Sequence, residues 1–208
     1  MTNLIIGTTA INRPELHSDI FPDWIDWIDK INKDNYQVKW FINIDNIEKL
    51  GITFEETKEN IIKINDNRFD LYFFKPDNNE GNFLNACKRL SSKINEYIND
   101  YKLNSHTKIL WLEDDWKLNS KLVIDINDLI KNYSSNKSLI NLTFIRNNYI
   151  HALAPSIIGI NLWQDLFFEA WEKQKDHIDP EHCVGNYYIK KYDDYKFRNL
   201  NNCRSEER

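Results

Sequence analysis

The chain lacks the features that define several large protein classes. Its three cysteines, Cys87, Cys183 and Cys203, are odd in number, widely spaced and free of any Cys-x-x-Cys pattern. That excludes a disulfide framework and a zinc cluster, and a reducing, cytoplasmic setting is the expectation. No apolar run is long enough to cross a bilayer, and the opening Met-Thr-Asn-Leu-Ile-Ile-Gly carries no basic segment. Neither a transmembrane segment nor a secretory leader is expected. Lys and Arg number 27 against 32 Asp and Glu, a formal net charge of -5 with no extended basic cluster, so no nucleic-acid partner is expected. His177 and His182 lack the His-Glu-x-x-His spacing of a zinc protease. There is no internal repeat and no low-complexity tract.

What remains is a chain of 208 residues, 41% hydrophobic and 13% aromatic, with seven Trp and ten Tyr. That is enough apolar mass for one folded domain. The most informative stretch is 106–118, His-Thr-Lys-Ile-Leu-Trp-Leu-Glu-Asp-Asp-Trp-Lys-Leu, where an apolar run ends in three consecutive acids. Ile109 to Leu112 is too short for a helix and has no alternation, which suits a strand covered on both faces of a parallel sheet. Ligands bind at the carboxyl ends of such strands. If the backbone stays extended, Glu113 and Asp115 share one face and Asp114 points the other way. Two carboxylates on one face suit Mg²⁺ or Mn²⁺, with substrate phosphates completing the shell. A solvated acidic turn is the alternative.

The rest of the chain alternates strand and helix. Leu4 to Thr9 is a strand, and Ala-Ile-Asn-Arg-Pro-Glu has helix-start composition with Pro14 in the first turn. Arg13 falls where that strand would meet a ligand; it is either a phosphate or base contact or a surface residue beside a cap. Pro22 is expected to restart the helix, with Trp24, Trp27, Ile28 and Ile31 as a core stripe. Gln37 to Ile44 is a second strand, again followed by an acid, Asp45. Thr53 and Glu56 form a capping box for a helix to about Asn65. Phe69 to Phe74 is the third strand, and after a polar loop containing Gly81 comes a helix with Phe83, Cys87, Leu90, Ile94 and Tyr101 on one side. A lone Gly before a helix either admits a diphosphate or marks an ordinary loop. The opening half is therefore βαβαβαβ, an α/β fold with a mainly parallel sheet.

Ser120 is expected to cap a further helix carrying Val123, Ile126, Leu129 and Tyr133. Residues 139–160 read as two or three short strands, and Asn161 opens an amphipathic helix with Trp163, Phe167, Ala170, Trp171 and Gln174 in register. Asp179, before Pro180 and Glu181, is either a helix N-cap or a catalytic carboxylate. From Asp193 onward the chain is polar and expected to be loop-like, a C-terminal tail (193–208) that could open a linker to further domains.

Four segments, Gly-Thr-Thr-Ala-Ile-Asn-Arg-Pro, Asp45, Asn-Glu-Gly-Asn-Phe-Leu-Asn-Ala and Leu-Glu-Asp-Asp-Trp, together resemble the nucleotide-sugar glycosyltransferases of the GT-A fold. More narrowly, the chain is similar to the small glycosyltransferase domain that large algal viruses use on capsid glycans, over residues 1 to about 190. The resemblance implies a single GT-A domain at 1–192, with a nucleotide-sugar half at 1–118 and an acceptor half at 119–192. It implies a UDP-sugar donor, a glycan or glycoprotein acceptor, Mn²⁺ or Mg²⁺, and, for a virus, work in the host cytoplasm. Thr8, Thr9 and Arg13 match the loop that receives the nucleoside diphosphate, and Asp45 matches the acid that contacts uracil. Glu113-Asp114-Asp115 matches the Asp-x-Asp motif, with Asp115 on the metal, Glu113 a second ligand, and Glu113 and Asp114 near the ribose. The first position is Glu rather than Asp, a longer side chain that shifts its contact. Asp179, or Glu181, matches the catalytic base of inverting members.

Three other readings compete. A metal-dependent nuclease could also use strand-end acids, but the net charge of -5 and the lack of a basic cluster oppose it. A nucleotidyltransferase shares the fold type, but its Gly- and Lys-rich phosphate loop after strand one is missing. A non-catalytic carbohydrate-binding module would expose Trp and Tyr, whereas most Trp here fall on helical stripes or inside strands.

Overall fold

The computed structural model describes residues 2–47, 51–77, 82–118, 124–132, 138–143, 155–173, 179–180 and 196–205. Strand β1 (Thr2–Ile11) leads into helix α1 (Pro14–Ile28), then β2 (Tyr36–Asp45), α2 (Phe54–Asn65), β3 (Asp70–Phe74), α3 (Phe83–Asp100) and β4 (Lys108–Glu113). A short β5 (Trp116–Leu118), α4 (Ile126–Asn132), β6 (Ser138–Thr143) and β7 (Ser156–Gly159) follow. The helical run that comes next is α5 (Ile160–Leu162), a π-helical turn (Trp163–Phe168) and α6 (Glu169–Lys173), before β8 (Lys196–Ser205).

The strands form one eight-stranded sheet in the order β3-β2-β1-β4-β7-β6-β8-β5. β3, β2, β1 and β4 run parallel, as the three crossover helices between them require. β7 joins β4 antiparallel. The parallel strands are covered on both faces, and alternation decides which side chain goes where. Leu4, Ile6, Trp40, Ile42, Leu110 and Leu112 pack with α1, α2 and α4. Ile5, Phe41, Ile109 and Trp111 pack with α3, α5 and α6. Gly7 lies where α3 approaches β1: a Cβ there would come within 2.9 Å of Ile94 Cδ1 and 3.2 Å of the Trp111 ring.

The alternating half follows the sequence closely. Thr53 and Glu56 make both hydrogen bonds of the capping box, and Trp24, Trp27, Ile28 and Ile31 are core. Several expectations need correction. Pro22 does not restart the helix; α1 runs through it. Its ring is on the exposed side, where water can serve the carbonyl left without a donor, while Phe21 and Trp24 hold the helix to the sheet. Phe83 and Tyr101 leave the α3 stripe at its two ends and are 44% and 66% exposed. α4 begins at Ile126, where the Asp125 carboxylate accepts from the Asn127 N–H at 2.8 Å, rather than from a cap at Ser120, which lies outside the described residues. The polar tail is not a loop: Lys196–Ser205 pairs with β6 on one side and β5 on the other. Backbone pairing builds this strand, and backbone pairing leaves little trace in side-chain pattern.

Candidate donor-binding site

The parallel strands β1, β2 and β4 end together, and a cavity of about 380 Å³ lies at that edge. Thr9, Ala10, Ile11 and Arg13 line it from the end of β1, and Asp45, Asn46 and Ile47 from the end of β2. Asn82, Phe83 and Ala86 line it from the start of α3, and Glu113, Asp114 and Asp115 from the end of β4. The carboxyl edge of a parallel sheet is where such folds bind ligands. Register explains part of the gathering: Thr9 sits beside both Asn43 and Glu113, and Ile11 beside Asp45.

Alternation separates two neighbours that the sequence had placed together. Thr9 lines the cavity, and its hydroxyl is buried with no hydrogen-bond partner among the described residues. Thr8 points to the opposite face, is fully buried, and its hydroxyl accepts from Trp40 Nε1 at 2.9 Å. The structure therefore does not bring Thr8 into the cavity. A one-residue step along a strand reverses the face.

The three acids at the end of β4 all line the cavity, but their partners differ. β4 ends at Glu113 and the chain turns at Asp114 and Asp115 before β5. Asp114 is 5% exposed and is tied toward α1: its Oδ2 accepts from the Ile11 N–H and from His17 Nε2, each at 3.0 Å, and its Oδ1 accepts from Arg13 Nη2 at 2.7 Å. A carboxylate only accepts, so Nε2 carries the imidazole proton. His17 is fully buried and stacks on Phe21 with ring centroids 4.8 Å apart. Arg13 Nε is buried without a hydrogen-bond partner among the described residues, which leaves cationic donor capacity on a cavity-lining side chain. Glu113 Oε2 accepts from Trp116 Nε1 at 3.0 Å.

Asp45 has a different setting. Its Oδ1 accepts from Asn43 Nδ2 at 2.9 Å and from Arg89 Nη2 at 2.8 Å, while Arg89 Nε donates to Asn43 Oδ1 at 2.7 Å. Burial pushes the Asp45 carboxyl above its ordinary value, and the bonds from Asn43 and the Arg89 charge oppose that rise. Asn12, fully buried, stitches the end of β1 to the loop after β2: its amide donates to Asn46 Oδ1 and to the Ile47 and Ile52 carbonyls, and its Oδ1 accepts from the Ile47 N–H.

His17, Asn43 and Arg89 were not among the sequence candidates, although helical spacing held a signal for two of them. His17 lies four residues after Arg13, and Arg89 lies three and seven residues after Ala86 and Asn82, which line the cavity. Asp179 is exposed and immediately precedes Pro180, whose carbonyl accepts from Trp171 Nε1 at 3.2 Å. Asp179 does not line the cavity. Gly81, Glu181, His177 and His182 lie outside the described residues.

Among the described residues, no group of three or more His, Cys, Asp or Glu is placed to hold a metal ion. Glu113 and Asp115 on one cavity fit the mode in which one or two carboxylates hold Mg²⁺ or Mn²⁺ and substrate phosphates supply further ligands. Among the described residues, no helix is long and apolar enough to cross a membrane.

No family model and no curated protein sequence matches the chain. Solved structures do. The 1–349 fragment of S. aureus TarS in complex with UDP-GlcNAc aligns with a TM-score of 0.51 and 10% identity, covering 100% of this chain and 59% of that one. The mannosyltransferase PcManGT from Pyrobaculum calidifontis, in complex with GDP-Man and Mn²⁺, aligns at 0.53 and 9% identity, covering 96% of this chain and 54% of that one. A glycosyltransferase involved in glycosylation of the PBCV-1 major capsid aligns at 0.48 and 11% identity over 97% of this chain and 82% of that one, a score too low to bear on the narrower viral resemblance. At such identities the likeness is one of fold: the chain has the mixed α/β architecture of the GT-A glycosyltransferases. It spans little more than half the length of the first two structures.

Proposed function

We propose that the chain is a metal-dependent glycosyltransferase that moves a sugar from a UDP-sugar to a hydroxyl of a glycan or glycoprotein, with inversion. The cavity at the carboxyl edge of β1, β2 and β4, where Arg13, Asp45, Glu113 and Asp115 meet, carries this reading. Residues 1–118 supply the donor half and 119–192 the acceptor half.

Each residue has a role in that reading. Thr9 and Arg13 line the side of the cavity assigned to the diphosphate, where the Arg13 guanidinium supplies positive charge. Asp45 reads the base. Glu113 and Asp115 hold the divalent cation, which supplies Lewis acidity toward the leaving diphosphate when bound. Asp114 has both oxygens engaged by Ile11, Arg13 and His17, so it positions Arg13 rather than touching the donor. The acceptor oxygen attacks the anomeric carbon, the bond from that carbon to the diphosphate oxygen breaks, and the diphosphate leaves with the electron pair. Asp179 takes the hydroxyl proton, a step that contributes on the order of 10²–10⁴-fold. Its support is exposure together with anchoring of the adjacent Pro180 through Trp171, which packs 5.3 Å from Trp111 of β4. Glu181 is the alternative base.

Calorimetric titration with UDP, with and without Mn²⁺, tests the reading. Manganese-dependent binding is expected in the wild type, and Asp115→Asn should weaken it about 10–100-fold. Absence of UDP binding under both conditions would overturn the UDP-donor reading.

A further inference from the structure

Fold alone leaves the base open, since one structural neighbour is in complex with UDP-GlcNAc and another with GDP-Man. The arrangement around Asp45 bears on it. Asn43, Asp45 and Arg89 close a ring of three side chains in which Asp45 Oδ1 already accepts two hydrogen bonds. Asp45 Oδ2 accepts none among the described residues, and Asp45 lines the cavity.

We propose that Arg89 and Asn43 set the base preference of the donor site by occupying one oxygen of Asp45 and leaving the other as a single acceptor that suits uracil. This rests on the donor-site reading above. Uracil presents one N–H, at N3, between two carbonyls, and one acceptor satisfies it. Guanine presents its N1–H and 2-amino group side by side, a pair that matches both oxygens of a carboxylate. Here the second donor meets an oxygen already engaged by an amide and a guanidinium, and it is left without a full partner. Cytosine and adenine turn a ring-nitrogen lone pair toward the carboxylate, which repels it.

The surroundings fit a planar ring. Ile47 and Phe83 line the same cavity and are 38% and 44% exposed, offering apolar surface to the faces of a base. Asn43 and Arg89 do not line the cavity, so they act through Asp45 and are positioning residues. Arg89 reaches Asp45 because α3 carries it on the helix face that also presents Asn82 and Ala86.

Titration with UDP, GDP, CDP and ADP in Mn²⁺, for the wild type, Arg89→Ala, Arg89→Lys and Asn43→Ala, tests this, with thermal unfolding to confirm that each variant folds. The wild type is expected to prefer UDP over GDP by about tenfold or more, and over CDP and ADP by at least as much. Arg89→Ala and Asn43→Ala should each bring the UDP-to-GDP ratio part of the way toward one, because each removes one of the two hydrogen bonds that occupy Oδ1 of Asp45. Arg89→Lys keeps the charge without the fork and should fall between. A purely structural role would weaken all four nucleotides alike and keep the ratio, which overturns the proposal. Wild-type GDP affinity equal to or above that for UDP overturns it too, while the nucleotide-sugar reading stands. No binding of any nucleoside diphosphate removes both.

Discussion

Asp45 ends β2 and Asp114 follows β4; both are nearly buried, at 7% and 5% exposure, and both line the same cavity. Their partners differ. Asp114 turns toward α1 and spends both oxygens on Ile11, Arg13 and His17. Asp45 turns toward α3, where Arg89, together with Asn43 of β2, holds one oxygen and leaves the other open. An acid at this edge thus has both oxygens engaged or one left open according to the donors that reach it, from β1 and α1 for Asp114 and from β2 and α3 for Asp45. Identity and proximity to the cavity do not decide it.

The contrast can be broken most forcefully at Asp114. Replacing it with Ala leaves a buried imidazole N–H, a backbone N–H and part of the Arg13 guanidinium without their acceptor, and should cost about 3–5 kcal/mol in urea unfolding. A loss below about 1 kcal/mol would show that Asp114 does not hold the β1 end to α1.

The complementary change, Asp45→Asn, should spare stability to within about 1 kcal/mol, because the amide oxygen can still accept from Arg89. It places an N–H₂ where an acceptor stood, so UDP affinity should fall about 10–100-fold, with CDP gaining on UDP. Unchanged UDP affinity in calorimetry would remove Asp45 from the site.

A third, smaller effect sharpens the comparison at the other end of β4. Lys108 is buried, and burial lowers its pKa to about 8. The unfolded chain holds that proton to roughly pH 10.4 and the native one releases it near 8, so between those values the unfolded state binds more protons and stability rises with pH. The difference in melting temperature between wild type and Lys108→Met should therefore change in favour of the wild type from pH 7.5 to 9.5. A flat difference would mean that the native state keeps Lys108 charged across that range.

How far the sequence carried the reading differs from residue to residue. The runs Leu4 to Thr9 and Ile109 to Leu112 identify strands covered on both faces because continuous apolar sequence has no other economical place in a fold of this size. The Thr53 and Glu56 capping box was legible because both partners lie within one turn. Arg13, Asp45 and the acids after β4 were legible because each follows a strand. Thr8 and Thr9 could not be told apart, since the face of a strand residue depends on where the strand is anchored to its neighbours. The partnerships of Asp114 with Arg13 and His17 span 101 and 97 residues, and no local pattern announces a contact at that range.

The sequence by itself determined the alternation of strand and helix, the mainly parallel sheet and the edge at which polar residues collect, because hydrophobic period and capping chemistry act over a few residues. The tertiary structure alone decided which acid was consumed by the fold, which oxygen of Asp45 stayed open, and that the polar segment Lys196–Ser205 became a strand between β6 and β5. Those outcomes depend on which groups arrive from distant parts of the chain, and hydrogen bonding between them is settled only once the sheet and its covering helices have brought them together.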